Sequence, residues 1–152
     1  MRALLIVVLL ILICGVGFYL FVHGRGFSAR ATPSSLEAAV AGKLVSLAYP
    51  PGAKETRNPL TATPAILAEA KEKFHRDCAV CHGDNGDGKT ETAAGLYPKP
   101  PDLRDESDMT DGELFYIIKN GIRFTGMPGW GEPDDRNWKL VLYIRSLGKK
   151  HG

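Results

Sequence analysis

The chain has 152 residues, of which 44% are hydrophobic and 24% charged, and its formal net charge is +2 at pH 7. This length accommodates one domain plus a short appendage. The charge is uneven, because residues 1–64 carry six lysines and arginines against two acidic residues, whereas the remainder carries 13 against 15. A near-neutral main domain excludes a nucleic-acid-binding protein, which needs a concentrated basic patch.

An uncharged apolar run, ALLIVVLLILICGVGFYLFV, occupies residues 3–22. Twenty helical residues span about 30 Å, the thickness of a bilayer core, so the run predicts a transmembrane anchor over residues 1–24. A cleaved signal peptide is the alternative, and Ala29-Arg30-Ala31 offers a cleavage site. A signal core is usually about 7–15 residues long and lies close to its site, which favours the anchor.

Residues 25–64 are predicted to form a linker that contains one short amphipathic helix. Ser34 and Glu37 have the spacing of a capping box, and the helix extends to about Tyr49, where two prolines follow. It either packs on the following domain or a membrane partner, or is a helical spacer. Residues 50–64 contain four prolines and predict a semi-rigid connection. The apolar stripe of the helix consists of Leu36, Val40, Leu44 and Leu47.

The main domain, residues 65–152, opens with a helix. Thr63 is the predicted N-cap and Pro64 the first helical residue. The spacing of its charged residues predicts two i,i+4 ion pairs on the solvent face, Glu69 with Lys73 and Glu72 with Arg76. Its apolar stripe consists of Ile66, Leu67, Ala70 and Phe74.

The sequence CAVCH at residues 78–82 directly follows this helix. Two thiols three positions apart, with a histidine after the second, form the attachment pattern of c-type haem. Cys78 and Cys81 can add across the two vinyl groups of the porphyrin, which leaves His82 below the iron as its axial ligand. A zinc half-site would need two further ligands, but the downstream chain has no cysteine and only His151. A redox CxxC would need a βαβ context, which this chain lacks.

Two methionines follow a loop over residues 83–101. Met109 precedes a second capping box, Thr110 with Glu113, and is placed to pack on Leu114 as a hydrophobic staple. The helix that starts there is predicted to end near residues 120–121. Met127 lies instead in the sequence GMPG, follows no helical period and is presented by an extended loop. A last helix is predicted over residues 134–147, ended by a glycine.

This arrangement resembles the class I c-type cytochromes over residues 65–148, and in particular the membrane-tethered mono-haem members and the haem-bearing subunits of bacterial terminal oxidases. Phe74, Leu140 and Tyr143 occupy the family's aromatic and helix-crossing positions. Residues 101–103, PDL, resemble the family's Pro-Asn-Leu. In that family, the proline carbonyl accepts a hydrogen bond from the histidine that binds the iron. The loop between the haem motif and this proline is longer here than in the smallest members, so Pro98 and Pro100 are alternative candidates to Pro101 for this acceptor.

The resemblance implies an all-α fold, with three to five helices around one covalent haem c and an N-terminal transmembrane helix. It implies that Pro101 accepts a hydrogen bond from His82 and that Met127 is the distal iron ligand. Leu103 and Trp130 belong to the expected haem-binding shell. The full shell is Phe74, Leu103, Phe115, Ile118, Trp130, Trp138 and Tyr143.

The expected function is electron carriage, with no catalytic residue and no small-molecule substrate. The expected partners are membrane redox complexes or other cytochromes of a respiratory chain. The resemblance implies a single-pass protein of the cytoplasmic (inner) membrane with its haem domain on the periplasmic side. One alternative is a fixed electron-transfer subunit of an oxidase or dehydrogenase complex. Another is a haem enzyme or gas sensor with a labile methionine ligand.

Overall fold

The structure, a computed structural model, describes residues 2–25, 31–105 and 108–148. The described residues are all-helical and contain no strand, which confirms the expected fold class. Ala29 and Arg30 of the candidate cleavage site lie outside these ranges, as does His151. The chain divides into two compact units, residues 1–32 and 33–152.

The first unit consists of helix α1, Arg2–Arg25. Its segment Arg2–Gly24 has a mean hydropathy of 3.1 and is long and apolar enough to cross a membrane. None of that segment is buried by the protein itself. An apolar helix with no protein cover is stable only in an apolar solvent, so α1 indicates a single-pass membrane anchor.

The second unit begins with helix α2, Ser35–Leu47, two residues shorter than predicted. The Ser34 hydroxyl accepts a hydrogen bond from the Glu37 backbone N–H at 3.3 Å, which is one half of the predicted capping box. No residue of α2 is buried, and α2 contacts no other helix in the described part of the chain. Packing of α2 on the main domain is therefore not observed. The exposed stripe is Leu36, Val40, Leu44 and Leu47.

The described part of the main domain contains the helices α3 (Pro64–Asp77), α4 (Ala79–His82), α5 (Glu91–Ala94), α6 (Asp111–Asn120) and α7 (Asp134–Gly148). Helix α5, capped by Thr90, lies inside the segment predicted as a loop. Helix α3 packs on α7, and α6 packs on α7 as well. The rings of Phe74 and Tyr143 lie 5.1 Å apart at the first crossing, where Leu140 and Val141 are also fully buried.

The segment predicted as a linker contacts the main domain. Ala53 is buried, and its carbonyl lies so close to Gly112 of α6 that a side chain there would overlap it. The rings of Tyr49 and Tyr116 meet edge to face at 5.7 Å. These contacts hold residues 49–56 against α6.

The predicted pairing of Lys73 with Glu69 on the solvent face of α3 is wrong, whereas Glu72 acts favourably on the exposed Arg76, as predicted, although more weakly than Asp77 does. Lys73 is only 8% exposed and pairs with Asp77 and Glu132, both at 2.9 Å. Arg76 hydrogen-bonds to Asp77. The Glu69 carboxylate is bound by Lys139 of α7, again at 2.9 Å. Lys73 thus has one local partner, Asp77 at i,i+4 in the C-terminal direction, and one tertiary partner, Glu132, at equal distances, whereas Glu69 pairs across the helix interface.

Candidate haem site

The three reactive side chains of the five-residue CAVCH motif, those of Cys78, Cys81 and His82, lie within about one helical turn. Cys78 ends α3, and its N–H donates to the Phe74 carbonyl at 2.8 Å. The Cys78 carbonyl in turn accepts from the N–H groups of Cys81 at 3.1 Å and His82 at 2.9 Å. Cys78 is thus both the C-cap of α3 and the N-cap of α4, so the two thiols and the imidazole lie within five consecutive residues of short helical structure.

Both thiols are free and partly buried. Burial, followed by the neighbouring Asp77 carboxylate, raises the pKa of the Cys78 thiol to about 11. At neutral pH this thiol is therefore protonated. Burial also lowers the pKa of His82, and the Pro101 carbonyl only partly opposes that effect. His82 is thus a neutral imidazole, as an iron ligand must be.

The environment of His82 fits an axial ligand. Its Nδ1 atom is buried and has no hydrogen bond of good geometry, while the carbonyl that acts on it is that of Pro101, rather than Pro98 or Pro100. In a ligand histidine, a carbonyl that accepts from Nδ1 fixes the tautomer that leaves Nε2 free for a metal. A half-buried, neutral imidazole with a buried Nδ1 atom, next to two free thiols, fits covalently attached haem.

Glycines that the sequence reasoning did not single out shape the wall beside His82. Gly88 donates its N–H to the His82 carbonyl at 2.8 Å and has a φ of +67°. A Cβ atom there would lie 2.5 Å from the Pro100 carbonyl oxygen and 3.2 Å from that of Pro101. Gly86 accepts a hydrogen bond from the Leu103 N–H at 2.8 Å. These positions let the proline-containing loop approach the haem motif, and Leu103 is buried there.

Asp102, where the family resemblance has an asparagine, organises the turn after Pro101. Its carboxylate accepts from the Arg104 backbone N–H at 3.0 Å and from the Arg104 Nε at 2.7 Å. Hydrogen bonding to this guanidinium lowers the pKa of Asp102 to about 2. The ion pair fixes the turn that carries the Pro101 carbonyl and Leu103.

Met127 lies in the loop between α6 and α7, over residues 121–133. Its N–H donates to the Thr125 hydroxyl at 3.1 Å, and its carbonyl accepts from the Ile122 N–H at 3.2 Å. A Cβ atom on Gly129 would lie 2.5 Å from the carbonyl oxygen of Asn120, so the loop runs back tightly along the end of α6. The side chain is half-buried and takes part in no helix, as the sequence predicts.

Met109 has a structural role next to the N-terminus of α6. The capping box of α6 is present in full, with Glu113 N–H donating to the Thr110 hydroxyl at 3.3 Å and Thr110 N–H donating to the Glu113 carboxylate at 2.8 Å. Met109 precedes this cap and packs against the core cluster that includes Leu114. Its carbonyl accepts a hydrogen bond from Arg145 of α7.

The predicted apolar shell is assembled around α3, α6 and α7. The rings of Phe115 and Trp138 stack at 4.0 Å with an interplanar angle of 12°. Trp130 is half-buried and packs on the same cluster. Within residues 2–25, 31–105 and 108–148 no three His, Cys, Asp or Glu side chains are grouped to hold a metal ion. The buried members of the shell are Phe74, Leu103, Ile118, Trp138 and Tyr143.

Comparison with known families identifies this arrangement. The model of the family described as cytochrome c oxidase, cbb3-type, subunit III matches residues 65–144, which is more than half of the chain. The chain belongs to this family. The cbb3-type domain covers the haem motif, the Pro101 loop, Met127 and most of α7, and it confirms the resemblance to c-type cytochromes and the expected haem c.

Two further proteins are similar to this cbb3-type chain. A cbb3-type cytochrome c oxidase subunit FixPc of Rhizobium leguminosarum bv. viciae is 37% identical over 100 residues, which cover 59% of this chain and 31% of that protein. The match thus spans less than a third of its length. The reducing HAO-like protein complex Kustc0457/Kustc0458 of Kuenenia stuttgartiensis contains a chain with 25% identity and a TM-score of 0.52, over 59% of this chain and 46% of that one.

Proposed function

We propose that this chain is a membrane-tethered carrier of single electrons that holds one haem c. Cys78 and Cys81 would bind the porphyrin through thioether bonds, and His82 and Met127 would be the two axial ligands of the iron. The observation that carries the proposal is the short stretch of Cys78 and α4, which joins two free thiols to a half-buried, neutral imidazole on whose pKa the Pro101 carbonyl acts.

When bound, haem supplies a one-electron Fe(III)/Fe(II) couple, and the residues of this chain tune it. A thioether ligand such as Met127 favours Fe(II), so histidine–methionine ligation raises the potential relative to two histidines. The apolar shell excludes water and acts in the same direction, because an uncharged environment disfavours the more highly charged ferric state. The Pro101 carbonyl orients His82 and increases its basicity.

If His82 and Met127 both bound the iron, no coordination position would be left for a substrate, which would separate a carrier from a haem enzyme or gas sensor. The enzyme alternative requires a vacant or labile sixth position. A polar side chain able to donate or accept a proton would also be needed beside it. Thr125 is the polar group bonded to Met127, and its hydroxyl is already used by the Met127 N–H and the Ile122 carbonyl.

The partners follow from the tether and from family membership. Redox proteins of a membrane respiratory chain fit a single-haem carrier whose anchor confines it to the membrane surface and raises its effective concentration there. Haem attachment on the outer side of the membrane would place the haem domain in the periplasm and the N-terminus inside. A fixed place in a cbb3-type oxidase is the second candidate, and the match to an oxidase subunit family favours it.

The proposal is tested with the membrane-extracted holoprotein. After denaturation and acid–acetone extraction, the haem is expected to stay with the polypeptide in a ratio of one per chain. Cys78→Ser and Cys81→Ser should each lose most of the holoprotein, whereas Cys14→Ser in α1 should not. Freely extracted haem, or ready binding of carbon monoxide by the wild type, would overturn the proposal.

A further inference from the structure

Lys73 is a buried cation held between two parts of the haem domain. Its side chain is 10% exposed, although lysines are almost never buried unless they are paired. The Nζ atom lies 2.9 Å from Asp77 of its own helix and 2.9 Å from Glu132. It also lies 5.2 Å from the ring centroid of Trp130, a cation–π contact.

These three partners connect the two proposed ligand segments. Asp77 directly precedes Cys78 of the haem motif, whereas Trp130 and Glu132 follow Met127 in the loop over residues 121–133. Lys73 therefore joins the helix that leads into the attachment site to the loop that carries the distal methionine. Within the described residues, Lys73–Glu132 is the ion pair that links α3 to this loop.

The backbone of the loop is fixed to a different helix. The Trp130 N–H donates to the Ile118 carbonyl at 3.2 Å, and the Gly131 N–H donates to the Lys119 carbonyl at 3.0 Å. Both acceptors belong to α6. The backbone thus sets the position of the loop relative to α6, and the Lys73 side chain sets it relative to α3 and the haem motif.

The charges make this contact strong. Burial acts to lower the pKa of Lys73, but the Glu132 and Asp77 carboxylates outweigh it and raise the pKa, so the ammonium is charged at neutral pH. The Glu132 side chain is 27% exposed and that of Asp77 is 16% exposed, so water screens the cluster poorly. Each carboxylate has a second cationic partner, Arg76 for Asp77 at 3.1 Å and Arg136 for Glu132 at 3.7 Å, but both arginines are more than half exposed. Loss of the buried Lys73 therefore weakens the cluster more than loss of a surface pair would.

We propose that Lys73 is a positioning residue for the distal iron ligand: by holding Trp130 and Glu132 against α3, it keeps the Met127 loop closed over the haem. The inference rests on the proposed ligation of iron by Met127. An external ligand such as imidazole binds ferric haem only in molecules whose methionine has left the iron. Its apparent affinity is therefore proportional to the fraction of molecules with an open loop.

The experiment measures imidazole binding to ferric holoprotein by visible spectroscopy in four variants. Lys73→Met removes the charge and keeps the length of the side chain, and it should raise the imidazole affinity about tenfold, equivalent to about 1.4 kcal/mol. Glu132→Gln should raise it less, because Lys73 keeps Asp77. The imidazole affinity of the double variant should not exceed that of Lys73→Met, since both substitutions remove the same Lys73–Glu132 contact.

Lys139→Met is the matched control. Lys139 also binds α3, through Glu69 at 2.9 Å, and its side chain is 19% exposed, but it belongs to α7 and forms no ion pair with the described residues of the Met127 loop. Its imidazole affinity should equal that of the wild type. A second readout is hydrogen exchange of the Trp130 and Gly131 amides, which should accelerate in Lys73→Met and not in Lys139→Met.

Equal imidazole affinities in Lys73→Met and Lys139→Met, with a lowered unfolding midpoint alone, would show that Lys73 is merely structural and would overturn the inference. If Lys73→Met does not fold, Glu132→Gln decides in the same way, since wild-type affinity there contradicts the proposal. The wild type separates the two hypotheses. A ferric wild type without a methionine–iron charge-transfer band refutes the proposed ligation itself, whereas a wild type with the band and an unaffected Lys73→Met refutes only the positioning role.

Discussion

Asn58 donates a hydrogen bond from its side-chain amide to the carbonyl oxygen of Trp138, at 2.9 Å and across 80 residues of chain. The Asn58 side-chain oxygen also accepts from the Leu60 N–H at 2.9 Å. One polar side chain thus ties the proline-rich segment before α3 to α7. Together with Ala53 on α6, it makes residues 49–60 a part of the haem domain's surface.

This attachment predicts the effect of adding one methyl group. Gly112→Ala would place a Cβ atom on the Ala53 carbonyl and 2.8 Å from the Thr56 Cβ. Because backbone must shift to make room, we expect the free energy of unfolding to fall by roughly 1–3 kcal/mol, measured by denaturant titration of the holoprotein. Gly42→Ala in α2 is the control, since nothing lies within 4 Å of a Cβ there. An unchanged midpoint in Gly112→Ala would mean that the segment is not docked on α6.

Local signals made part of this fold predictable. Two helix caps follow from local sequence, Thr63 because Pro64 follows it at the first helical position, and Thr110 because Glu113 lies three residues further on; both caps are confirmed. Helix α7 follows the predicted bounds and extends one residue further, through Gly148. The docking of residues 49–60 was not predictable, because the segment has no apolar period and Asn58 meets its partner only in the folded chain.

The same distinction applies to the site. The spacing of Cys78, Cys81 and His82 carries its own chemistry and was sufficient to predict haem. The role of Lys73 was misassigned, because i,i+4 spacing suggested Glu69 while its partners Trp130 and Glu132 belong to a distant loop. Lys73 directly precedes Phe74, a residue of the predicted apolar stripe. This position was the one sign in the sequence that Lys73 does not lie on the solvent face.

Asp102 predicts a specific dependence of stability on pH. Its pKa lies at about 2 in the folded protein, below its ordinary value of 3.8, because it binds Arg104. A carboxylate whose pKa is lower in the folded than in the unfolded protein stabilises the fold. The stabilisation is complete at a pH above the unfolded-state pKa, and it is lost as the pH falls towards the folded-state pKa. Asp102→Asn should therefore be less stable than the wild type at pH 7. The difference should shrink between about pH 4 and pH 2.

Denaturant midpoints of both proteins, measured across this pH range, check the prediction. Asp134→Asn is a suitable control, because it removes the Lys119 ion pair without touching the turn after Pro101. A difference between wild type and Asp102→Asn that stayed constant down to pH 2 would exclude the Arg104 pair as its source.

The anchor predicts where the protein is found in the cell. Since the apolar segment of α1 exceeds a typical signal core, the mature protein should remain in the membrane fraction with its N-terminus intact, apart from initiator processing. Mass spectrometry of the detergent-extracted protein measures this. A soluble mature chain that begins near Thr32 would contradict the anchor.

The orientation of the haem domain gives a separate prediction. Protease added to intact spheroplasts should degrade the haem domain, because it is proposed to face the periplasm. A domain protected until the membrane is permeabilised would reverse the proposed topology.

The ferric near-infrared absorption of Met127→Ala and Met109→Ala tests the central claim most directly. Met127→Ala is expected to lose the weak sulfur-to-iron charge-transfer band, to lower the potential markedly and to open the iron to cyanide or carbon monoxide. Met109→Ala is expected to keep all three properties of the wild type and to lose about 1 kcal/mol of stability, because Met109 packs on the core before the α6 cap. Loss of the band in Met109→Ala with its retention in Met127→Ala would contradict the assignment of Met127 as the sixth ligand, and the electron-carrier account built on that ligation would have to be abandoned.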